Sequence, residues 1–170
     1  MNLSDFIRDI PDFPKPGVLF KDITPLLADP AAFGYAVAKL SAHYATRGVD
    51  AVAAAEARGF LFAAPMALEL LKPLVPLRKP GKLPYRTHSA SYDLEYGSAE
   101  LHVHIDGINP GARVLLVDDV LATGGTMAAA CRLIEKAGGS VAGCAFLIEL
   151  SFLKGREKLA GVDIFSLLTY

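Results

Sequence analysis

Arg113-Val114-Leu115-Leu116-Val117-Asp118-Asp119-Val120-Leu121-Ala122-Thr123-Gly124-Gly125-Thr126 is the stretch on which the reading of the whole chain turns. Val114 to Val117 are apolar without alternation, the pattern of a strand covered on both faces. Two adjacent carboxylates follow, where the strand is expected to leave the sheet. Two glycines then let the backbone turn tightly and approach a ligand. From Gly125 the spacing of Met127, Cys131, Leu133 and Ile134 predicts a helix through Ala137. Strand, turn and helix in this order place the turn where open α/β sheets bind ligands. The unpaired N–H groups and partial positive charge of a helix start suit an anion, most often phosphate. Thr123 and Thr126 add hydroxyl donors. Asp118 and Asp119 would repel a phosphate laid on them, so they suit neutral hydroxyls or a group that becomes positive during reaction. The lysine of a Walker loop is missing, and so is the Gly-x-Gly-x-x-Gly dinucleotide pattern.

Outward from that stretch, strands are expected near 50, 74, 113 and 141, alternating with helices. This gives an α/β fold with a mainly parallel central sheet flanked by helices. Asp29-Pro30 opens a helix with an acidic N-cap and proline in the first position, and Phe33, Val37, Leu40 and Tyr44 continue it to about Thr46. A second helix is expected from about Phe62 to Leu71, with Pro65 in its first turn. Ser140 to Leu150 read as a strand, Lys154 to Ala160 as a short helix and Ile164 to Leu168 as a last strand. Residues 3 to 9 read as a short helix. Three prolines and a glycine in residues 11 to 17 predict a rigid, extended entry segment.

The chain has 170 residues, for which one domain is the default, and a formal net charge of −1. That balance gives no electrostatic case for nucleic acid or an anionic membrane, so any basic phosphate site is local. No apolar run approaches the roughly 20 residues that span a bilayer, and the first residues lack the pattern of a secretory signal. Cys131 and Cys144 are too few for a disulfide scaffold and lack metal-ligand spacing, which fits a reduced, cytoplasmic setting. The local basic site is expected in Arg78 to Gly97, which holds Arg78, Lys79, Lys82 and Arg86 among prolines and glycines. Region 85 to 105 is hairpin-like. Within it Leu101, Val103 and Ile105 alternate with His102 and His104, which read as solvent-face residues of an antiparallel strand rather than as metal ligands.

Val114 to Thr126 resembles the phosphoribosyl-pyrophosphate motif of the type I phosphoribosyltransferases. Three further stretches resemble the adenine branch of that family. They are Ile10 to Gly17 with Phe20 to Leu27, Glu56 to Phe62, and Arg78 to Pro84 with Ala90 to Gly97. Lys154 to Leu159 resembles a family tail segment, so the likeness runs over nearly the whole chain.

The resemblance implies transfer of ribose 5-phosphate from phosphoribosyl pyrophosphate to N9 of adenine, giving AMP and pyrophosphate in purine salvage. It implies a small cap from about residues 1–28 and parts of the C-terminal segment, a mobile loop, and a homodimer. Mg2+ is expected on the substrate diphosphate, with no dedicated protein metal ligands. Ala122, Thr123, Gly124, Gly125 and Thr126 are then expected to bind the 5′-phosphate, and Asp118 and Asp119 to face the ribose and steady its developing charge. Leu19, Phe20 and Lys21 hold the base; many relatives carry arginine where Lys21 stands. Arg58 and Lys82 hold the diphosphate, although Glu56 to Gly59 alone reads as an ordinary surface turn. Relatives usually have a hydroxyl or other small residue at Ala57, and a non-proline cis peptide is expected beside it. Tyr96 is expected over the reacting region. Glu95, a plain surface glutamate on sequence alone, becomes the candidate for the proton of the base.

Overall fold

The computed structural model describes residues 1–93 and 97–170. Along the chain the strands are β1 (Arg8–Pro11), β2 (Leu19–Asp22), β3 (Ala51–Ala55), β4 (Leu74–Leu77), β5 (Thr87–Asp93), β6 (Ser98–His104), β7 (Arg113–Leu121), β8 (Ser140–Glu149) and β9 (Ile164–Thr169). The helices are α1 (Thr24–Ala28), α2 (Pro30–Tyr44), α3 (Gly59–Glu69) and α4 (Gly125–Lys136). Five strands form a parallel sheet in the order β4-β3-β7-β8-β9, with β1–β2 and β5–β6 as separate antiparallel hairpins.

Continuous apolar strands are required because both sheet faces are covered. Val52, Ala54, Leu115 and Val117 pack with residues of α1, α2 and α3 on one face. Ala51, Ala53, Val114 and Leu116 pack with α4 and with Leu101 and Val103 of β6 on the other. Each strand thus keeps its period of two while both faces stay dry. Asp29 caps α2 as expected, its carboxylate accepting from the Ala32 N–H at 2.8 Å.

Several boundaries differ from the sequence expectation. Residues 3 to 9 split into a 3-10 turn, Leu3–Phe6, and strand β1. Helix α3 begins at Gly59, three residues before the expected start, so Pro65 lies inside it rather than in its first turn. The cause is close packing at the sheet. A Cβ on Gly59 would stand 3.0 Å from the Val117 carbonyl oxygen and 3.3 Å from the Ala54 Cβ, so the bare glycine lets the helix start directly against β3 and β7. His102 and His104 are not simple solvent-face residues. The Nδ1 atom of His102 shares a hydrogen bond with Thr87 Oγ1 at 2.9 Å, and Glu100 lies 3.2 Å from its Nε2. His104 accepts from the Tyr85 N–H at 3.4 Å. Among the described residues no helix is long and apolar enough to cross a membrane.

Candidate active site

The open part of the sheet makes the site. Strand β7 is paired on both sides only as far as Val117, which lies opposite Ala54; beyond it β8 alone continues, out to Leu121 opposite Glu149. Asp118 and Asp119 therefore lie inside the strand, not at its end as the sequence suggested, because β8 carries the ladder four residues past the last β3 pair. Where β3 stops, the turn Glu56-Ala57-Arg58 leaves a gap beside those carboxylates. A cleft of about 640 Å³ opens there.

One wall of the cleft is the loop Ala122-Thr123-Gly124 and the first residues of α4, Gly125, Thr126 and Met127. Gly124 stands at the N-cap with φ of 79°, and among the described residues no side chain caps the helix. The first N–H groups of α4 are thus left without a side-chain cap, and Thr123, one residue before the N-cap, does not supply one. A second wall is Val18, Leu19, Phe20 and Lys21 from the β1–β2 hairpin. A third is Glu56, Ala57, Arg58 and Lys79. The floor is Asp118 and Asp119 with Val120, Leu121 and Phe146, and Tyr92, Leu150 and Leu153 complete the enclosure.

The charges are arranged in a network. Arg58 Nε lies 2.8 Å from Asp119 Oδ2, with Asp119 almost wholly buried and Arg58 half exposed. The Arg58 guanidinium also stands over the Phe20 ring, 5.6 Å from its centroid, joining the turn to the hairpin. Asp118 Oδ1 accepts the Asp119 N–H at 2.9 Å. Burial first, and then the Asp119 carboxylate, push Asp118 well above the usual carboxylate range. Glu56 accepts from the Lys79 N–H at 2.6 Å and from Arg78 Nε at 3.0 Å, which pins the start of the basic loop to the turn. The Lys79 N–H, more than any other contact, holds Glu56 below the ordinary range. The Glu56–Ala57 peptide is cis, as expected, and so is Phe13–Pro14.

Eleven of the residues singled out in the sequence line this one cleft: Leu19, Phe20, Lys21, Arg58, Asp118, Asp119, Ala122, Thr123, Gly124, Gly125 and Thr126. Lys82 does not. It is exposed in the turn after Lys79, and Lys79 lines the cleft in its place because the Glu56 contacts hold residues 78 and 79 inward. Glu95 and Tyr96 lie outside the described residues. The Lys21 ammonium is directed at Asp9, 2.7 Å away, and lies 3.9 Å from the centre of the Tyr170 ring, so its charge serves the hairpin rather than a bidentate contact. Phe146, Leu150 and Leu153 were not legible as site residues. The signal available was their position at and after the carboxyl end of β8, next to the central strand.

An uncapped helix start, two adjacent acids and a basic turn thus meet around one crevice at the carboxyl end of a parallel sheet. The sequence profile described as phosphoribosyl transferase domain matches residues 26–163. Over its full length the chain is 57% identical to adenine phosphoribosyltransferase of Kosmotoga olearia, covering all of both chains. It is 58% identical to that of Roseiflexus castenholzii, over 100% of this chain and 99% of that one. The crystal structure of adenine phosphoribosyltransferase from Thermoanaerobacter pseudethanolicus superposes with a TM-score of 0.96 at 52% identity, covering 99% of this chain and 100% of that one. The Saccharomyces cerevisiae structure, complexed with D-2,5-dideoxy-2,5-imino-altritol 1,6-bisphosphate and adenine, gives 0.92 at 37% identity, covering 98% and 96%. The chain belongs to the phosphoribosyltransferase family, in its adenine phosphoribosyltransferase branch.

Proposed function

We propose that the cleft takes phosphoribosyl pyrophosphate and adenine, and that its walls divide the work of transferring ribose 5-phosphate to N9 of adenine, with AMP and pyrophosphate as products. The observation that carries this is the placing of Asp118 and Asp119 beside the uncapped start of α4 in one cleft. The 5′-phosphate sits at Ala122 to Thr126, on backbone N–H groups and the two threonine hydroxyls. The acids cannot face that phosphate, so they face the ribose. Departure of the diphosphate builds positive charge on the sugar ring, as in glycoside hydrolysis, and fixed carboxylates stabilise that charge more than they stabilise the neutral donor. Arg58 and Lys79 receive the diphosphate. Arg58 rests on Asp119, so a diphosphate that draws the fork toward itself leaves the Asp119 charge to the sugar.

Adenine lies against Leu19 and Phe20, with backbone groups near Lys21 reading its edge. The family resemblance supports Glu95 as the residue for the proton of the base and Tyr96 as a further substrate contact, both outside the described residues. Mg2+ fits this donor set, since the cleft is lined by carboxylate and hydroxyl oxygens, and the ion would be carried mainly by the substrate diphosphate. When bound, it offsets charge on the diphosphate. The two free thiols suit a reducing compartment, and we place the enzyme in the cytoplasm as a homodimer.

The test is AMP formation from adenine, phosphoribosyl pyrophosphate and magnesium, against hypoxanthine and guanine as acceptors. Adenine is expected to dominate. Faster turnover of a 6-oxopurine would overturn the assignment of the base.

A further inference from the structure

The loop that faces the phosphate is backed by a second piece of chain, Lys154 to Leu159, and the contact is unusually close. A Cβ on Gly124 would stand 2.5 Å from the Gly155 carbonyl oxygen. A Cβ on Gly155 would overlap the Ala122 carbonyl oxygen and come within 2.9 Å of Leu121 Cδ1. Two glycines thus let two backbones touch, and the shape of residues 122–124 depends on where Gly155 stands.

Gly155 is held from both sides. Lys154 before it has φ of 54°, a left-handed conformation uncommon for lysine. Arg156 after it forms a fork on Glu149, with Nε to Oε1 at 2.6 Å and Nη2 to Oε2 at 2.7 Å. Ser166 Oγ of β9 donates to the same Oε2 at 2.9 Å. Glu149 is 6% exposed and ends β8. Its neighbour Leu150 donates its N–H to the Leu121 carbonyl at 2.9 Å, at the point where β7 passes into the loop. The fork therefore ties the backing segment to the rigid sheet one residue from the contact it must hold.

We propose that Glu149 and Arg156 are positioning residues for the donor's 5′-phosphate, acting through Gly155 on the backbone of Ala122 to Gly124. The proposal rests on the reading of that loop as the phosphate site. A fork is needed because its two parallel bonds fix orientation, which a single charge contact does not. Neither side chain lines the cleft, so the effect reaches the ligand only through the loop.

Arg156→Met is compared with the parent enzyme in three measurements: steady-state KM for each substrate, calorimetric binding of ribose 5-phosphate, and thermal unfolding. The expected result is a roughly tenfold rise in donor KM and in ribose 5-phosphate Kd, with adenine KM within about twofold, since small displacements of positioning groups weaken only the interactions they aim. A lower Tm with unchanged ribose 5-phosphate Kd would overturn the proposal and leave the fork a stability feature alone. If Arg156→Met does not fold, Glu149→Gln, which keeps shape but loses the charged fork, is judged by the same criterion. Thr126→Val separates the two readings. If it leaves ribose 5-phosphate binding at the parent value, the phosphate site itself is wrong. If it weakens binding and Arg156→Met does not, only the positioning role fails.

Discussion

Asp118 carries the sharpest conflict between stability and function in the chain. Its carboxyl is half-buried beside a second acid, and desolvation and that neighbour raise its pKa well above the ordinary value of 3.8. Between the unfolded and folded pKa values the folded state binds more protons than the unfolded one. Stability therefore falls as pH rises through that window and is fully restored only below the unfolded value. Asp118→Asn is isosteric, keeps an oxygen to accept the Asp119 N–H, and removes the penalty. The variant is expected to unfold at a higher temperature than the parent at neutral pH, with the difference shrinking on acidification toward 3.8. A Tm difference independent of pH would contradict the assignment. Together with Asp119→Asn, the same change should lower kcat by roughly 10²- to 10³-fold, the scale of lost electrostatic stabilisation in a preorganised site. Activity within threefold of the parent would remove the cation-stabilising role. The basic residues separate in a similar way. Lys79→Ala is expected to raise donor KM roughly tenfold, as loss of one charge-assisted contact does, while Lys82→Ala stays within about twofold. A larger effect at Lys82 would put the outer turn of the loop over the substrate.

Among the elements, unequal strand lengths do most to create the site. Strand β3 ends at Ala55 and β7 runs on to Leu121, so the last residues of β7 are paired on one side and open on the other. A sheet whose central strands all stopped together would offer no notch for a sugar. Helix α4 is amphipathic and long enough to hold its position, with Met127, Ala130, Leu133 and Ile134 in the core and its start exposed to the cleft. It is also tied to the β5–β6 hairpin, Arg132 donating to the Ser91 carbonyl at 2.8 Å and Lys136 to that of Ser89 at 3.0 Å. The β5–β6 hairpin and the helix whose start lines the cleft are thus joined side by side. The β1–β2 hairpin is held differently, by the Lys21–Asp9 ion pair and by the Tyr170 ring, so that wall of the cleft is anchored to the residue after β9.

At the scale of the molecule, α3, the turn after it and the first residue of β4 leave Leu61, Leu68, Leu71 and Leu74 exposed by 42, 78, 90 and 39%. Exposed leucines close together along the chain mark an association surface more often than scattered ones do. The proposed homodimer is expected to bury this strip. Leu68→Glu with Leu71→Glu should shift the mass in solution from twice 18.1 kDa to 18.1 kDa, read by light scattering. A parent protein that is already monomeric would refute the dimer. An unchanged dimer in the double variant would move its interface elsewhere.

The parallel sheet, the strand-turn-helix at its centre and eleven of the residues that line the cleft were legible in the sequence. Those features are local: hydrophobic period, glycine pairs and adjacent acids act within a few residues, and a family resemblance reads them as one motif. Its limits lay where distant segments meet. The start of α3 at Gly59 depends on the Val117 carbonyl, and the inward place of Lys79 depends on Glu56. The closeness of Gly124 to Gly155 joins residues 31 positions apart in the chain. Only the tertiary structure decided these, because they follow from backbone distances and paired charges across the sheet, which no local pattern encodes.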